Sequence, residues 1–308
     1  MRTQMDPEFK TEVKKLGDCH IHVIMDGENY RNAVEKHREA VVDDVIHQCF
    51  LEYQGRGISF LRDGGDSYHV SERARELAPA YGITYRTPLF AIHKKGHYGG
   101  IVGYGFEHMS EYQALVDQVR RKNGDFIKIM VSGLIDFSKV GVLTEEGLDR
   151  DTIREMIRIA HEEGFSVMAH TNGVRNVLDV IEAGVDSLEH GAFMNEECIQ
   201  ALAESKTIWV PTLSPCQNMI GCGRFDDGVL REIAAIHMEN IRMALERGAM
   251  LALGSDAGAW QVPHGKGTET ELSWMQMAAP KAKQMMTALQ EGEREIRRRF
   301  QRGGRERV

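Results

Sequence analysis

The 308-residue chain is expected to fold as an α/β protein, a closed (β/α)8 TIM barrel. Two observations predict this. Short apolar runs alternate with segments of helical periodicity, eight of each kind in sequence, which is the signature of parallel strands covered by helices. Side chains able to bind metal or move protons also stand at or just beyond the C-terminal ends of those runs. A doubly wound open sheet would set such residues along a line, whereas a barrel gathers every strand end around one mouth.

The expected strands, in order, are the run Asp18-Cys19-His20-Ile21-His22, then Ile58–Leu61, Thr84–Phe90, Phe126–Met130, Ser166–Ala169, Ser187–Glu189, Ile208–Val210 and Met250–Leu253. Helical spacing fills Asn32–Gln54, Glu72–Tyr81, Glu111–Lys122, Arg150–Glu163, Val174–Ala183, Glu196–Glu204 and Val229–Arg247. Five of these segments run into a glycine (Gly82, Gly124, Gly164, Gly184, Gly248), as helix C-termini often do. A loop over Ala257–Gly267 and a helical stretch through Met286 complete the expected barrel, residues 18–286. Residues 1–17 read as an unpatterned polar tail in which Met5-Asp6-Pro7-Glu8-Phe9 has the look of an appended junction. Residues 287–308 read as a charged helix or tail, and the arginines from Glu291 onward suggest a solvated helix fraying into disorder rather than a nucleic-acid site.

Composition narrows the function classes. A net charge of −8 gives no electrostatic reason to expect nucleic acid or a membrane, so the expected partner is a small-molecule substrate; a homo-oligomer is allowed. No apolar run approaches a membrane span and no apolar core of a secretory signal is seen, so a cytoplasmic location is expected. Five cysteines without a CxxC argue against a disulfide framework or a zinc knuckle. Strand alternation turns Cys19 away from its neighbouring histidines, as a buried thiol.

The same alternation presents the imidazoles of His20 and His22 on one side, a ligand pair for zinc, manganese or iron. Lys128 shares a face with Phe126 and Met130, pointing into the barrel where an ammonium is costly and tends to lose its proton. A neutral lysine amine can add carbon dioxide to give a carbamate able to bridge two metals; a lysine paired with a buried carboxylate is the alternative. His170 and His190 each follow a strand and serve as ligands or as satisfied core histidines. Asp256 can bind metal and take a proton from water, or cap a helix. His97 is a candidate catalytic contact to the substrate or to a developing oxyanion. With it Tyr98, His264 and Lys266 lie on mouth-side loops as candidate substrate-binding residues.

The strings around Lys128, His170, His190 and Asp256, with Arg62-Asp63-Gly64-Gly65 and Gly96-His97, make the chain similar to the amidohydrolase superfamily of metal-dependent hydrolases. The likeness runs from about Asp18 to Gly265 and points to the imidazolonepropionase-like or Xaa-Pro dipeptidase-like branch. It implies that His20 and His22 bind a first metal with Asp256, that His170 and His190 bind a second, and that carboxylated Lys128 bridges the two, both ions most simply zinc. It implies hydrolysis of a C–N bond, in a dipeptide or N-acyl amino acid, by a metal-bridged hydroxide with Asp256 as proton shuttle. Cyclic-amide or lactone hydrolysis and mononuclear deamination are the enzymatic alternatives. Gly173 stands where deaminases of the superfamily usually place a glutamate, and Lys128 favours two metals. A non-catalytic binding barrel would be expected to have lost a ligand or the acid–base aspartate. Two departures stand out: Asn172 replaces a histidine common in the branch, and an accessory β-sandwich is not evident from the strand pattern.

Overall fold

Buried at all four positions, the first strand has no solvent face, as a strand walled in by helices requires. The structure, a computed structural model, describes residues 13–279 and 282–304. Its strands are β1 (Asp18–Ile21), β2 (Phe60–Asp63), β3 (Thr84–Arg86), β4 (Ala91–Lys94), β5 (Gly103–Phe106), β6 (Ile127–Met130), β7 (Val167–Thr171), β8 (Ser187–His190) and β9 (Ile208–Val210). All pairings between them are parallel, in the orders β1-β2-β3 and β5-β4-β6-β7-β8-β9. Residues 250–253 close the wall. Trp209 N donates to Met250 O (2.9 Å) and Ala252 N to Trp209 O (3.0 Å) on one side, and Cys19 N donates to Leu253 O (2.8 Å) on the other. The result is the expected TIM barrel. Among the described residues every strand belongs to this wall or to the edge strand β5, and none forms a β-sandwich.

The third expected strand, Thr84–Phe90, is broken. Its first part pairs with β2, Thr87 exchanges hydrogen bonds with Asp125, and pairing resumes at Ala91 against Lys128. Strand β5, beside β4, was not expected from the sequence.

The helices are α1 (Tyr30–Lys36), α2 (Asp43–Gln54), α3 (Val70–Leu77), α4 (Met109–Arg121), α5 (Arg150–Glu162), α6 (Val174–Glu182), α7 (Glu196–Glu204), α8 (Ser214–Gln217), α9 (Asp227–Glu246), α10 (Lys266–Ala278) and α11 (Ala282–Arg299). Side-chain caps set several starts: Asp149 accepts from Thr152 N (2.9 Å), Asn195 from Cys198 N (3.0 Å) and Asp226 from Val229 N (3.0 Å). The segment expected as one helix over Asn32–Gln54 is two, α1 and α2. The helix expected through Met286 ends at Ala278, where Ala279 is extended (φ −105°, ψ 115°), the conformation a following proline favours.

Three expectations are corrected here. A register irregularity in β1, between Asp18 and Ile21, breaks simple alternation. Cys19 is buried as expected, but alternation does not set its direction: it packs inside the barrel with Phe60, Phe126 and Met168. The arginine-rich segment is not a fraying tail: α11 carries Ile296 and Phe300, both fully buried, into that same interior cluster with Ile208, Val210 and Ala252. Its residues reach the starts of several strands, Glu293 accepting from Gly17 N (2.7 Å) and Arg299 O from Ser166 Oγ (3.0 Å). The stretch before β1 is also part of the fold, since Val13 and Leu16 are buried in the main core. The junction-like residues 5–9, the rest of 1–12, and 305–308 lie outside the described residues.

Candidate metal centre

Along β6, Phe126 and Met130 share the inner face with Lys128, which sits in the body of the strand rather than at its end. On β7 the same alternation places Met168 in the interior and His170 above it. On β8 the inner face falls to Ser187 and Glu189, so plain alternation would send His190 outward. A left-handed backbone at His190 (φ 66°) ends the strand, and the His190 ring lies 4.5 Å from that of His170 and 5.0 Å from that of His20. Trp209 Nε1 (2.9 Å) and His237 Nε2 (3.0 Å) both donate to the His190 carbonyl and hold this turn. Asp256 is also left-handed (φ 58°), a conformation that non-glycine residues adopt at a cost and that clusters at functional sites.

His20, His22 and Asp256 converge. Their ligand atoms lie within 4.8 Å of one another, with Asp256 Oδ1 3.6 Å from Nε2 of both histidines and the two Nε2 atoms 3.4 Å apart. Backbone pairing fixes this register, Asp256 N donating to His20 O and His22 N to Ala257 O, both at 2.8 Å. Beneath the loop, Asp18 accepts from Ser255 N (2.9 Å), Ser255 Oγ (2.5 Å) and Thr268 Oγ1 (2.7 Å), tying Asp256 to α10. Gly64 has a packing reason: a Cβ there would overlap the His22 ring.

The remaining nitrogens are assigned by their partners. His20 Nδ1 is hydrogen-bonded to Glu189 Oε2 (2.7 Å); the carboxylate accepts, so Nδ1 carries the proton and Nε2 faces His22 and Asp256 with its lone pair. Glu189 is gripped in turn by Arg62 Nη2 (2.9 Å) and Ser187 Oγ (2.6 Å). His190 Nδ1 is bonded to Thr212 Oγ1 (2.6 Å), leaving Nε2 open. His170 Nε2 donates to Gly133 O (3.3 Å), leaving Nδ1 open. Asn172 is a clamp between loops, donating to Gly133 O (3.3 Å) and accepting from Ala192 N (2.9 Å).

Burial sets the protonation. It lowers His22 and His170 to about 3 each, with nearby Lys128 adding to the effect, and pushes His20 and His190 well below the ordinary imidazole range. All four imidazoles are neutral near pH 7, the form that binds metal. Burial also lowers Lys128 to about 8, against the attraction of Glu189 and Asp256, and raises Asp256 to about 8. The Lys128 amine is buried without a hydrogen-bond partner, and no carboxylate among the described residues is ion-paired with it, unlike the alternative of a paired lysine. Four neutral imidazoles, the carboxyl group of Asp256 and an orphaned amine fit a divalent-metal site, whose ion would displace the Asp256 proton.

The mouth-side candidates are dispersed. His97 is one-third exposed with Nδ1 3.9 Å from Glu145 Oε2, and Tyr98 packs its ring 5.4 Å from that of His170. His264 Nε2 donates to Met25 O (2.8 Å) and its Nδ1 is bonded to the buried Tyr53 hydroxyl (3.1 Å); Lys266, at the start of α10, is exposed.

Residues 15–294 match the model of the amidohydrolase family. The chain belongs to the amidohydrolase family. Among curated relatives, this amidohydrolase is 28% identical over 265 residues to an uncharacterized protein of Mycobacterium tuberculosis, covering 82% of this chain and 65% of that one. It is 22% identical over 283 residues to ochratoxinase of Aspergillus niger, covering 78% of this chain and 57% of the relative. The chain thus spans about two thirds or less of the length of these relatives. Among solved structures, a Xaa-Pro dipeptidase with methionine bound in its active site superimposes with a TM-score of 0.70 at 24% identity, over 92% of this chain and 75% of the other, which shows a shared fold.

Arg62, Glu189 and Asp18 were not picked out as functional from the sequence. A signal existed for one of them: Glu189 lies on the inner face of a strand, where an unpaired carboxylate is expensive.

Proposed function

We propose that this amidohydrolase hydrolyses a C–N bond of a small molecule, such as a dipeptide or an N-acyl amino acid, with two divalent ions held by His20, His22, Lys128, His170, His190 and Asp256. The observation that carries this reading is the convergence of His20, His22 and Asp256 beside the partnerless amine of Lys128. The open nitrogens support this choice of ligand atoms: Nε2 of His20 and of His190, and Nδ1 of His170. Lys128 joins them as a carbamate, formed when its neutral amine adds carbon dioxide and releases a proton. Zinc suits the imidazole-rich set, with manganese or iron as alternatives. When bound, such ions supply Lewis-acid polarisation of the scissile carbonyl and acidify a water.

The chain's own groups do the rest. Asp256 is proposed to take the proton of the attacking water on its carboxylate and then to deliver it to the leaving amine. His97 and Tyr98 in the turn after β4, and His264 and Lys266 at the start of α10, are proposed to orient the substrate. Both ring nitrogens of His264 are already bonded, so it acts chiefly by shaping its loop. Lys266 and His97 are proposed to meet a substrate carboxylate. The names of a Xaa-Pro dipeptidase and an ochratoxinase among the similar proteins support hydrolytic chemistry without fixing the substrate.

The test is metal analysis followed by assay of a panel of dipeptides, N-acyl amino acids, cyclic amides and lactones. Protein prepared with divalent metal and bicarbonate should hold close to two ions per chain, as a binuclear site requires. Lys128→Ala should lose most of the metal and most of the activity. Full occupancy and full activity in that variant would remove Lys128 from the site.

A further inference from the structure

The floor of the barrel and the candidate metal centre share one side chain. Arg62 is fully buried, and its guanidinium donates upward to Glu189 Oε1 (2.9 Å), sideways to Ser187 Oγ (2.8 Å) and to Cys19 O (2.6 Å). Below it, the ring of Phe300, just past the end of α11, lies 4.5 Å from the guanidinium carbon, and the ring of Phe126 lies 5.9 Å away. Glu189 is the carboxylate that fixes the proton of His20 on Nδ1. A continuous line of contacts therefore runs from the C-terminal helix through Arg62 and Glu189 to His20.

We propose that Phe300 and Arg62 are positioning residues for the metal site, the C-terminal helix serving as a floor that sets the tautomer of His20. The physical argument has two parts. A buried guanidinium has no water to complete its shell, so its orientation is dictated by the groups that replace it; three acceptors lie around its edge and an aromatic face lies beneath. A histidine ligand in turn depends on the group bonded to its other nitrogen, and loss of such a partner typically weakens metal binding by about 10–100-fold. Removing the Phe300 ring opens space beneath Arg62, frees the guanidinium to drop or take up water, and releases Glu189 from one of its two clamps. A carboxylate held at Oε1 by Ser187 alone can rotate, so Oε2 is no longer fixed against His20 Nδ1 and the proton can move to Nε2.

The metal part of this inference rests on the reading of His20 as a ligand, whereas its tautomer part does not. The experiment is long-range ¹H–¹⁵N NMR of the histidine rings in metal-free protein, with His20 assigned by His20→Gln, alongside zinc affinity measured against a chelator. The variants are Phe300→Leu, Phe300→Tyr and Ile296→Ala. Leucine fills much of the space without a ring, tyrosine keeps the ring, and Ile296→Ala damages the same floor without removing the face under Arg62. The expected result is a mixed or Nε2-protonated His20 and at least about tenfold weaker zinc binding in Phe300→Leu. Phe300→Tyr and Ile296→Ala should stay close to the parent in both readouts. An unchanged His20 tautomer in Phe300→Leu, or equal losses in Ile296→Ala, would overturn the proposal. If Phe300→Leu does not fold, Arg62→Lys reads the same line from its middle: it keeps the charge but not the fork, and an unchanged tautomer there would be equally fatal. A chain that binds no zinc at all would defeat the functional reading, while the tautomer in metal-free protein still decides this one.

Discussion

At the scale of single residues, the candidate site is built by placing ionisable groups where water cannot solvate them. His20, His22, His170 and His190 are held neutral by burial, and Asp256 is raised to about 8 by the same cause. His20, His22 and Lys128 could be read from the sequence because alternation along a strand is a local property: His20 and His22 differ by two positions, as do Phe126 and Lys128. Cys19 shows the limit of that rule, since one irregularity in β1 turned it inward. Glu189 and Arg62 could not be assigned roles from the sequence because their partners lie across the barrel, 169 residues away for Glu189 and His20. The proton-shuttle role proposed for Asp256 makes a separable prediction. Asp256→Asn keeps the size of the side chain and some coordinating ability but removes the basic carboxylate, so turnover should fall by about 10² or more while the thermal unfolding transition stays cooperative. Near-normal turnover on a good substrate would show that another group carries the proton.

Among the elements, the strands and most helices were legible from hydrophobic period, and the misreadings have identifiable causes. Thr84–Phe90 was apolar enough to read as one strand, but Thr87 is drawn into exchange with Asp125 and the ladder breaks there. The α11 region reads as solvated because arginine and glutamate dominate it, yet Met285, Leu289, Ile296 and Phe300 recur along one face, and all four are buried. The ion pairs that dominate its composition include i,i+3 and i,i+4 bridges such as Arg298–Glu295 and Arg299–Glu295, on faces turned from the core. Gly292 lets this helix approach the closing strand: a Cβ there would overlap the carbonyl of Leu251. Gly292→Ala should therefore destabilise the fold by about 1–3 kcal/mol, the usual cost of overpacking, despite the better helix propensity of alanine. Urea unfolding measures this, and a gain in stability would mean that α11 does not seat so closely.

Across the whole molecule, the barrel separates a structural end from a chemical one. Apolar side chains from β1, β2, β6, β7 and β9 and from α11 seal the N-terminal end of the strands, while the polar cluster occupies the other. Among the described residues no helix is long and apolar enough to cross a membrane. The proposed substrate contacts on the rim are His97, Tyr98 and Lys266, with His264 shaping its loop. A terminal carboxylate on the substrate, received by Lys266 or His97 through a charge-assisted hydrogen bond, would orient the scissile amide over the polar cluster. The best substrates should then be small amides bearing a free carboxylate. Converting that carboxylate to an amide should lower kcat/KM by about tenfold or more, the equivalent of one lost charged contact. The comparison is made with matched dipeptide or N-acyl amino acid pairs, and Lys266→Ala should shrink the difference within the pair if that lysine is the receiver. Preferential turnover of neutral cyclic amides or lactones, with no penalty for the missing carboxylate, would assign the rim a different task.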